Sequence, residues 1–246
     1  KSKLNSMKIL QQSNKLGKFT ASSFHRLIPG PKGSTTDRDK YIFEKAKESV
    51  QGYSKSFTSN VTDHGILNEF EAIEKFAELL GQTVDPLAQE YFPINENCGA
   101  TPDAAVKDFD GVIIASMDAK CPTDKFFEQK MEIIKESKPE FQNSPKVYFV
   151  QAQLQMMALT EYNKTLGHPP VDHHYLVRYL TNWEMDDDGE KVEIDLPLEV
   201  RMFWKLIKKD EAFCKRILVI AEDAALERDA LIKIFKTPIL GDILNQ

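Results

Sequence analysis

Val112-Ile113-Ile114-Ala115 is a short apolar run set between two polar stretches, and it constrains the chain more than any other feature. A β-branched run of this length, bounded by turn residues, reads as a buried strand. Upstream lies Gly99-Ala100-Thr101-Pro102-Asp103, which is turn-like; downstream lies Ser116-Met117-Asp118-Ala119-Lys120-Cys121-Pro122. Side chains two apart on a strand share a face, so Asp118 and Lys120 point one way and Ala119 points into the core. Asp110-Gly111, within the turn Lys107–Gly111, is a hairpin signal that folds the chain back and brings Asp103 toward Asp118. Two carboxylates and an ammonium would then meet at a strand end. Paired carboxylates suit Mg²⁺, a hard cation that takes oxygen ligands and keeps several waters. A nearby Lys lowers the pKa of a water or stabilises charge on a pentavalent phosphate. Alone, Asp-x-Lys on a strand equally describes a surface ion pair of little worth. The preceding Pro-Asp and the apolar strand between the acids favour a site.

The chain has 246 residues, 41% of them hydrophobic, enough for one sizeable core and a single domain over 1–246. Its net charge of −6 is unevenly spread. Residues 1–50 carry 11 Lys/Arg against 4 Asp/Glu, a net of +7, which leaves −13 for the remainder. A basic section on an acidic body suits a phosphate backbone held locally, or equally a solvated surface. No apolar run approaches the roughly 20 residues of a membrane span, and no leader is visible in a chain that starts at Lys1. Cys98, Cys121 and Cys214 form no C-x-x-C pair, which disfavours a disulfide framework or zinc site and fits a reduced cytoplasmic setting. Pro29-Gly30-Pro31-Lys32-Gly33-Ser34 lacks the phosphate-loop order, which disfavours a motor ATPase.

Along the chain, Thr20 or Ser22 is positioned to cap a short helix ending near Leu27, with Lys15 and Lys18 beside its phosphate-accepting N-terminus. Helices are predicted over Asp39–Tyr53, with Ile42, Phe43, Ala46 and Val50 apolar, and over Asp63–Leu80, ended by Gly81. In the second, Ile66, Phe70, Ile73, Phe76, Ala77 and Leu80 form the buried stripe. Glu69 lies at the edge of that stripe, facing either solvent or a pocket. Val84–Ile94 reads as one strand, and Lys125–Phe141 as a charged, solvated face. A helix follows over Ser144–Leu159, with Val147, Val150, Leu154, Met157 and Ala158 apolar. Tyr148, Gln151 and Gln155 share another of its faces, either an ordinary wet face or a hydrogen-bonding row beside a metal site. His173–Leu180 reads as a strand whose adjacent His173 and His174 point to opposite faces, poor geometry for a shared metal. Asp186-Asp187-Asp188-Gly189 is a turn without the EF-hand register, and Leu198–Phe235 reads as two helices in a helical C-terminal section of about 198–246.

Pro-Asp, a spacer, then Asp/Glu-x-Lys resembles the PD-(D/E)XK signature of the restriction-endonuclease-like nucleases. The motifs together resemble the phage lambda exonuclease family, also called YqaJ-like viral recombinases, over most of residues 15–180. They are Lys15-Leu16-Gly17 with Thr20-Ala21-Ser22; Gly65, Glu69 and Ala72; Thr101-Pro102-Asp103; Asp118-Ala119-Lys120-Cys121-Pro122; and Tyr148, Gln151 and Gln153. Two departures stand out. Asp118 replaces a Glu one methylene longer, and Lys15 replaces an Arg, keeping the charge without the bidentate fork.

The resemblance implies an α/β fold, a restriction-endonuclease-like core with a mixed central sheet flanked by helices. It implies Mg²⁺-dependent 5′→3′ digestion of one strand of linear double-stranded DNA, leaving 3′ overhangs for recombination, with two ions and Mn²⁺ as a substitute. Asp103, Asp118 and the Ala119 carbonyl would hold metal, and Glu69 a second ion or its waters. Lys120 would deprotonate the nucleophilic water or neutralise the transition state. Gln151 and Tyr148 would position nucleophile or phosphate, and Lys15, Ser22 and Thr101 would receive the 5′ phosphate. Which of Gln151, Gln153 and Gln155 faces the site stays open. A homotrimeric ring, a single-strand annealing partner, a phage or prophage origin in a bacterial cytoplasm, and no membrane complete the expectation. The alternatives are an idle DNA-end-binding module, an endonucleolytic relative, and an unrelated α/β protein with a fortuitous motif. An iron–sulfur nuclease would need four Cys, and three are present.

Overall fold

The computed structural model describes residues 14–29, 35–54, 60–87, 89–121, 147–181, 183–185, 191–193 and 195–238. Strand β1 (Phe19–Thr20) runs into a 3-10 helix (Ala21–Leu27), followed by helices α1 (Thr36–Gln51) and α2 (Asn60–Leu80). Strands β2 (Thr83–Pro86), β3 (Phe92–Pro93), β4 (Cys98–Ala100), β5 (Ala104–Lys107) and β6 (Ile113–Lys120) come next. Helix α3 (Val147–Thr165) precedes β7 (His173–Tyr179), β8 (Trp183–Met185) and β9 (Lys191–Glu193). The short helix α4 (Leu198–Arg201), strand β10 (Met202–Lys208) and the long helix α5 (Glu211–Lys236) follow.

The main sheet has the order β10-β7-β6-β5-β2. The apolar run identified above becomes its central strand, β6, paired antiparallel to β5 and parallel to β7. A parallel neighbour requires a crossover, and α3 supplies it. The β5–β6 hairpin closes as expected: Gly111 adopts φ +81°, and the Asp108 side chain accepts from the amides of Asp110 and Val112. Each face of the sheet packs its own core. On one, Ala115, Met117, Ala119, Val177 and Tyr179 meet Ala72, Ile73 and Phe76 of α2. On the other, Ala105 and Leu176 meet the α3 residues Val150, Leu154 and Leu159. A second sheet, β1-β4-β3, places β1 parallel to β4. Gly99 of β4 lies so close to β3 that an added Cβ would sit 2.5 Å from the Phe92 carbonyl oxygen and from Tyr91. The strands β8 and β9 form a separate antiparallel pair; the aspartates of the turn between them lie outside the described residues, as does the charged stretch 125–141.

Several expectations need correction. Thr20 occupies the N-cap position, but its side chain makes no cap bond; Oγ1 lies 3.4 Å from the Tyr41 hydroxyl instead. Ser22 lies inside the 3-10 helix. Val84–Ile94 holds two strands in two different sheets, because Leu87 and Glu90 turn the chain between them. Phe43, Phe70 and Val147 belong to the expected stripes yet are exposed. The largest departure is Met202–Lys208, expected to be helical. Its Met-Phe-Trp-Lys-Leu-Ile-Lys composition suits either period, and residue-by-residue antiparallel pairing with the whole of β7 selects the strand. Beyond it, α5 starts on Asp210, whose side chain accepts from the Phe213 amide. Among the described residues, no helix is long and apolar enough to cross a membrane.

Candidate active site

The carboxylates converge where β5 begins and β6 ends. Ala104 pairs with Met117, so β6 runs past the start of β5, and Ala119 has no strand partner on that side. The Asp103 carboxylate fills the gap: its Oδ2 accepts from the Ala119 amide at 2.8 Å. On an extended strand the N–H and C=O of one residue project to the same side, so the Ala119 carbonyl points toward Asp103 as well. Asp118, 1% exposed, faces α3, and its Oδ1 accepts from Gln155 Nε2 at 2.7 Å. Lys120 is drawn between the acids, with Nζ 3.3 Å from Asp118 Oδ2 and 3.8 Å from Asp103 Oδ2. Glu69, half-buried on α2, reaches the same end of the sheet from the opposite face, where the charges of Lys120 and Asp118 act on it.

The two aspartates differ in acidity. Burial pushes Asp103 well above the usual carboxylate range, and the charges of Asp118 and Glu69 add to it. Burial acts on Asp118 in the same sense, but Lys120, His174 and the Gln155 hydrogen bond outweigh it and hold Asp118 low. Burial raises Glu69, with Lys120 opposing. For Lys120, burial alone would lower the pKa; Asp118 and Asp103 override it and hold the side chain as an ammonium. The result is a split pair of acids beside a fixed cation, an arrangement typical of functional sites.

Helix α3 lines this face. Residues 150–159 are buried almost without exception, so the helix carries little amphipathic signal. Gln155 meets Asp118, and Tyr148 lies under the Arg178 guanidinium at 4.5 Å from ring centroid to Cζ. Gln151 occupies the turn between them and is buried. Gln153 points away: its Nε2 donates to the Lys208 carbonyl and its Oε1 accepts from the Asp210 amide, pinning the junction of β10 and α5.

The residues expected at a 5′ end are spread over the smaller sheet. Because β1 and β4 are parallel and Thr20 pairs with Gly99, Ser22 and Thr101 leave the same end of that pair. Ser22 is exposed, and Thr101 stands two residues before Asp103. Lys15 lies with Lys18 over the buried Tyr91 ring, at 6.0 and 5.7 Å from its centroid. The loop that carries both lysines is held by Arg228 of α5, which donates to the Gly17 carbonyl and to Asn97 Oδ1.

The sequence profile of the YqaJ-like viral recombinase domain matches residues 12–163, more than half of the chain. The chain belongs to the YqaJ-like viral recombinase family. No curated protein sequence matches it. Among solved structures it is similar to an alkaline exonuclease, LHK-Exo, from Laribacter hongkongensis, at 23% identity and a TM-score of 0.66, covering 92% of this chain and 95% of that one. The same enzyme in complex with dAMP matches with a TM-score of 0.65 at 23% identity, over the same shares. A phage-related exonuclease from Haemophilus somnus 129PT matches at 20% identity and a TM-score of 0.63, covering 89% and 96%. The fold of this recombinase-family chain is therefore that of the alkaline exonucleases.

Three polar residues of this family member take places that the sequence did not assign to them. Gln155 was one of three candidate glutamines. His174, fully buried, lies with Nδ1 2.9 Å from Ser116 Oγ across the β6–β7 pair. Arg178 stands opposite Lys120 on β7. The only sequence signal for the last two was a charged or titratable residue on a strand otherwise buried.

Proposed function

We propose that this chain is a nuclease that digests one strand of linear duplex DNA 5′→3′ with the help of Mg²⁺, leaving 3′ overhangs. The observation that carries the reading is the convergence of Asp103 and Asp118 on one point, marked by the Lys120 ammonium, in a chain of a viral recombinase family. The donor chemistry fits a hard cation. Among the described residues, no three His, Cys, Asp or Glu side chains form a ready-made metal cage. Two carboxylates and the Ala119 carbonyl remain, and this short, all-oxygen set suits an ion that keeps its waters. Asp103, Asp118 and Ala119 would hold Mg²⁺ directly, with Glu69 reaching a second ion or the water shell; Mn²⁺ would take the same ligands. When bound, the metal supplies an activated water and charge neutralisation at the phosphate.

The chain's own groups do the rest. Gln155 fixes the rotamer of Asp118, and the Ala119 amide fixes that of Asp103. Lys120, kept as an ammonium by both acids, neutralises charge that develops on the phosphate. Gln151 and Tyr148 lie along the face where a phosphate and its nucleophile would be positioned. Lys15, Ser22 and Thr101 receive the terminal 5′ phosphate; such contacts carry no base information, so digestion is sequence-independent. Family membership supports the further reading of a homotrimeric ring around DNA that hands its product to a single-strand annealing protein, in a phage or prophage setting.

The test uses duplexes labelled at either end, carrying 5′-phosphate or 5′-hydroxyl termini, incubated with Mg²⁺ or with chelator. Metal-dependent release of nucleotides from 5′ ends is the expected result. Binding without degradation would leave an idle end-binding module, and nicking of circular DNA would indicate an endonuclease.

A further inference from the structure

Arg178 lies on the same face of the sheet as Asp118 and Lys120. In the parallel pairing of β6 with β7, Lys120 stands opposite Arg178 and Asp118 opposite Leu176. Directly opposed residues project to one side. Arg178 is 3% exposed, and its Nε and Nη1 have no hydrogen-bond partner among the described residues. The neighbouring acids Asp118 and Asp103 are already engaged with Lys120.

A buried cation without an anion is strongly destabilising. A lysine would escape by shedding its proton; a guanidinium does not. The Lys120 ammonium on the adjacent strand adds like-charge repulsion. The site therefore calls for an anion with oxygen acceptors. Tyr148 stacks on the flat face of the guanidinium and also hydrogen-bonds it, and the Nε and Nη1 donors stay free for such a group.

We propose that Arg178 binds a non-bridging phosphate oxygen of the DNA strand being cut, beside the scissile bond, with Tyr148 holding the guanidinium flat. This inference rests on the nuclease reading above. It makes Tyr148 a positioning residue and gives the substrate strand two cationic contacts, Lys120 and Arg178, on neighbouring strands.

The experiment compares wild type with R178A on 5′-phosphorylated duplexes in which one of the first four phosphates is replaced, in turn, by a neutral methylphosphonate. R178A is expected to lower kcat/KM on unmodified DNA by about 10- to 100-fold. At one position the methylphosphonate penalty seen in wild type is expected to vanish in R178A, because the charge it removes has lost its partner. Wild-type cleavage of R178A overturns the proposal. So does an R178A defect that leaves all four penalties unchanged, the mark of a purely structural role. If R178A does not fold, R178Q, which keeps the packing stem, is put through the same series and judged by the same outcomes. A wild type that cuts no DNA overturns the nuclease reading and this inference together; a wild type that cuts, with an indifferent Arg178, overturns this inference alone.

Discussion

Gln155 donates a 2.7 Å hydrogen bond from Nε2 to Asp118 Oδ1, joining the crossover helix α3 to the central strand β6. The bond occupies one oxygen of Asp118 and leaves Oδ2 turned toward Lys120 at 3.3 Å. It thereby selects which oxygen faces the point where a cation would bind. Groups that orient a metal ligand are worth about 10- to 100-fold in affinity or activity. Gln155→Ala is expected to raise the Mg²⁺ concentration for half-maximal cleavage by about that factor while the protein stays folded. Gln155→Glu sets a third acid against Asp118 and should be worse than the alanine. A metal titration of cleavage rate checks both, and an unchanged midpoint in either variant would remove Gln155 from the site.

Asp103 combines two tasks, charge and geometry. Its Oδ2 accepts the Ala119 amide, and the same oxygen faces Lys120. Asp103→Ala and Lys120→Ala should each abolish cleavage in a protein that still binds DNA ends. Asp103→Asn separates the tasks, since the amide oxygen still accepts from Ala119 while the charge is gone. It should melt closer to wild type than Asp103→Ala does and cleave no faster. Cleavage assays with thermal melting decide the matter, and full activity in the alanine or asparagine variant would refute the assignment.

How much of this was legible in the sequence follows from the range of the contacts. The relation of Asp118, Ala119 and Lys120 is a strand period, and Asp103 joins them through one local hairpin marked by Asp110-Gly111; both were readable. The choice among Gln151, Gln153 and Gln155 was not. With 150–159 buried on nearly every side, α3 has no wet face to orient it, and only its packing between the sheet and α5 sends Gln155 to Asp118 and Gln153 to Lys208. Met202–Lys208 was misread because its apolar residues suit two periods, and its partner β7 is about 30 residues away. Arg178 was missed for the same reason: its position opposite Lys120 exists only in the register of two strands separated by the crossover.

His174 makes acid stability a test of the β6–β7 pairing. It is fully buried, with Nδ1 on Ser116, and burial pushes its pKa from 6.5 down to about 4 despite the nearby Asp118 charge. A folded pKa below the unfolded one means that the unfolded chain binds more protons between pH 6.5 and 4. Stability from this group is therefore present above pH 6.5 and is lost as the pH falls toward 4. The loss is on the order of 3 kcal/mol. His174→Gln removes the titration, so its urea midpoint should fall less than that of wild type between pH 7 and pH 4.5. The other carboxylates titrate in both proteins, and repeating the comparison in an Asp118→Asn background removes the one acid that His174 acts on. Equal acid losses would show that His174 does not titrate as a buried neutral ring.

Lys15 tests the other end of the substrate. Its ammonium lies over Tyr91 beside Lys18, in a loop fixed by Arg228 through the Gly17 carbonyl and Asn97. Burial lowers the pKa of Lys15, a cost that a bound dianionic phosphate would offset. A charge-assisted contact to a terminal phosphate discriminates against a hydroxyl end by about tenfold or more. Lys15→Ala should therefore reduce the ratio of cleavage rates on 5′-phosphate and 5′-hydroxyl duplexes by about that factor while leaving the hydroxyl rate nearly unchanged. Lys15→Arg should restore the ratio. Arg228→Ala loosens the loop without removing its charge, so it should lower the ratio less than Lys15→Ala and lower the melting temperature more. The residual preference should weaken with added salt, as expected of a partly exposed ion contact. The same ratio in Lys15→Ala as in wild type would mean that the 5′ phosphate is received elsewhere.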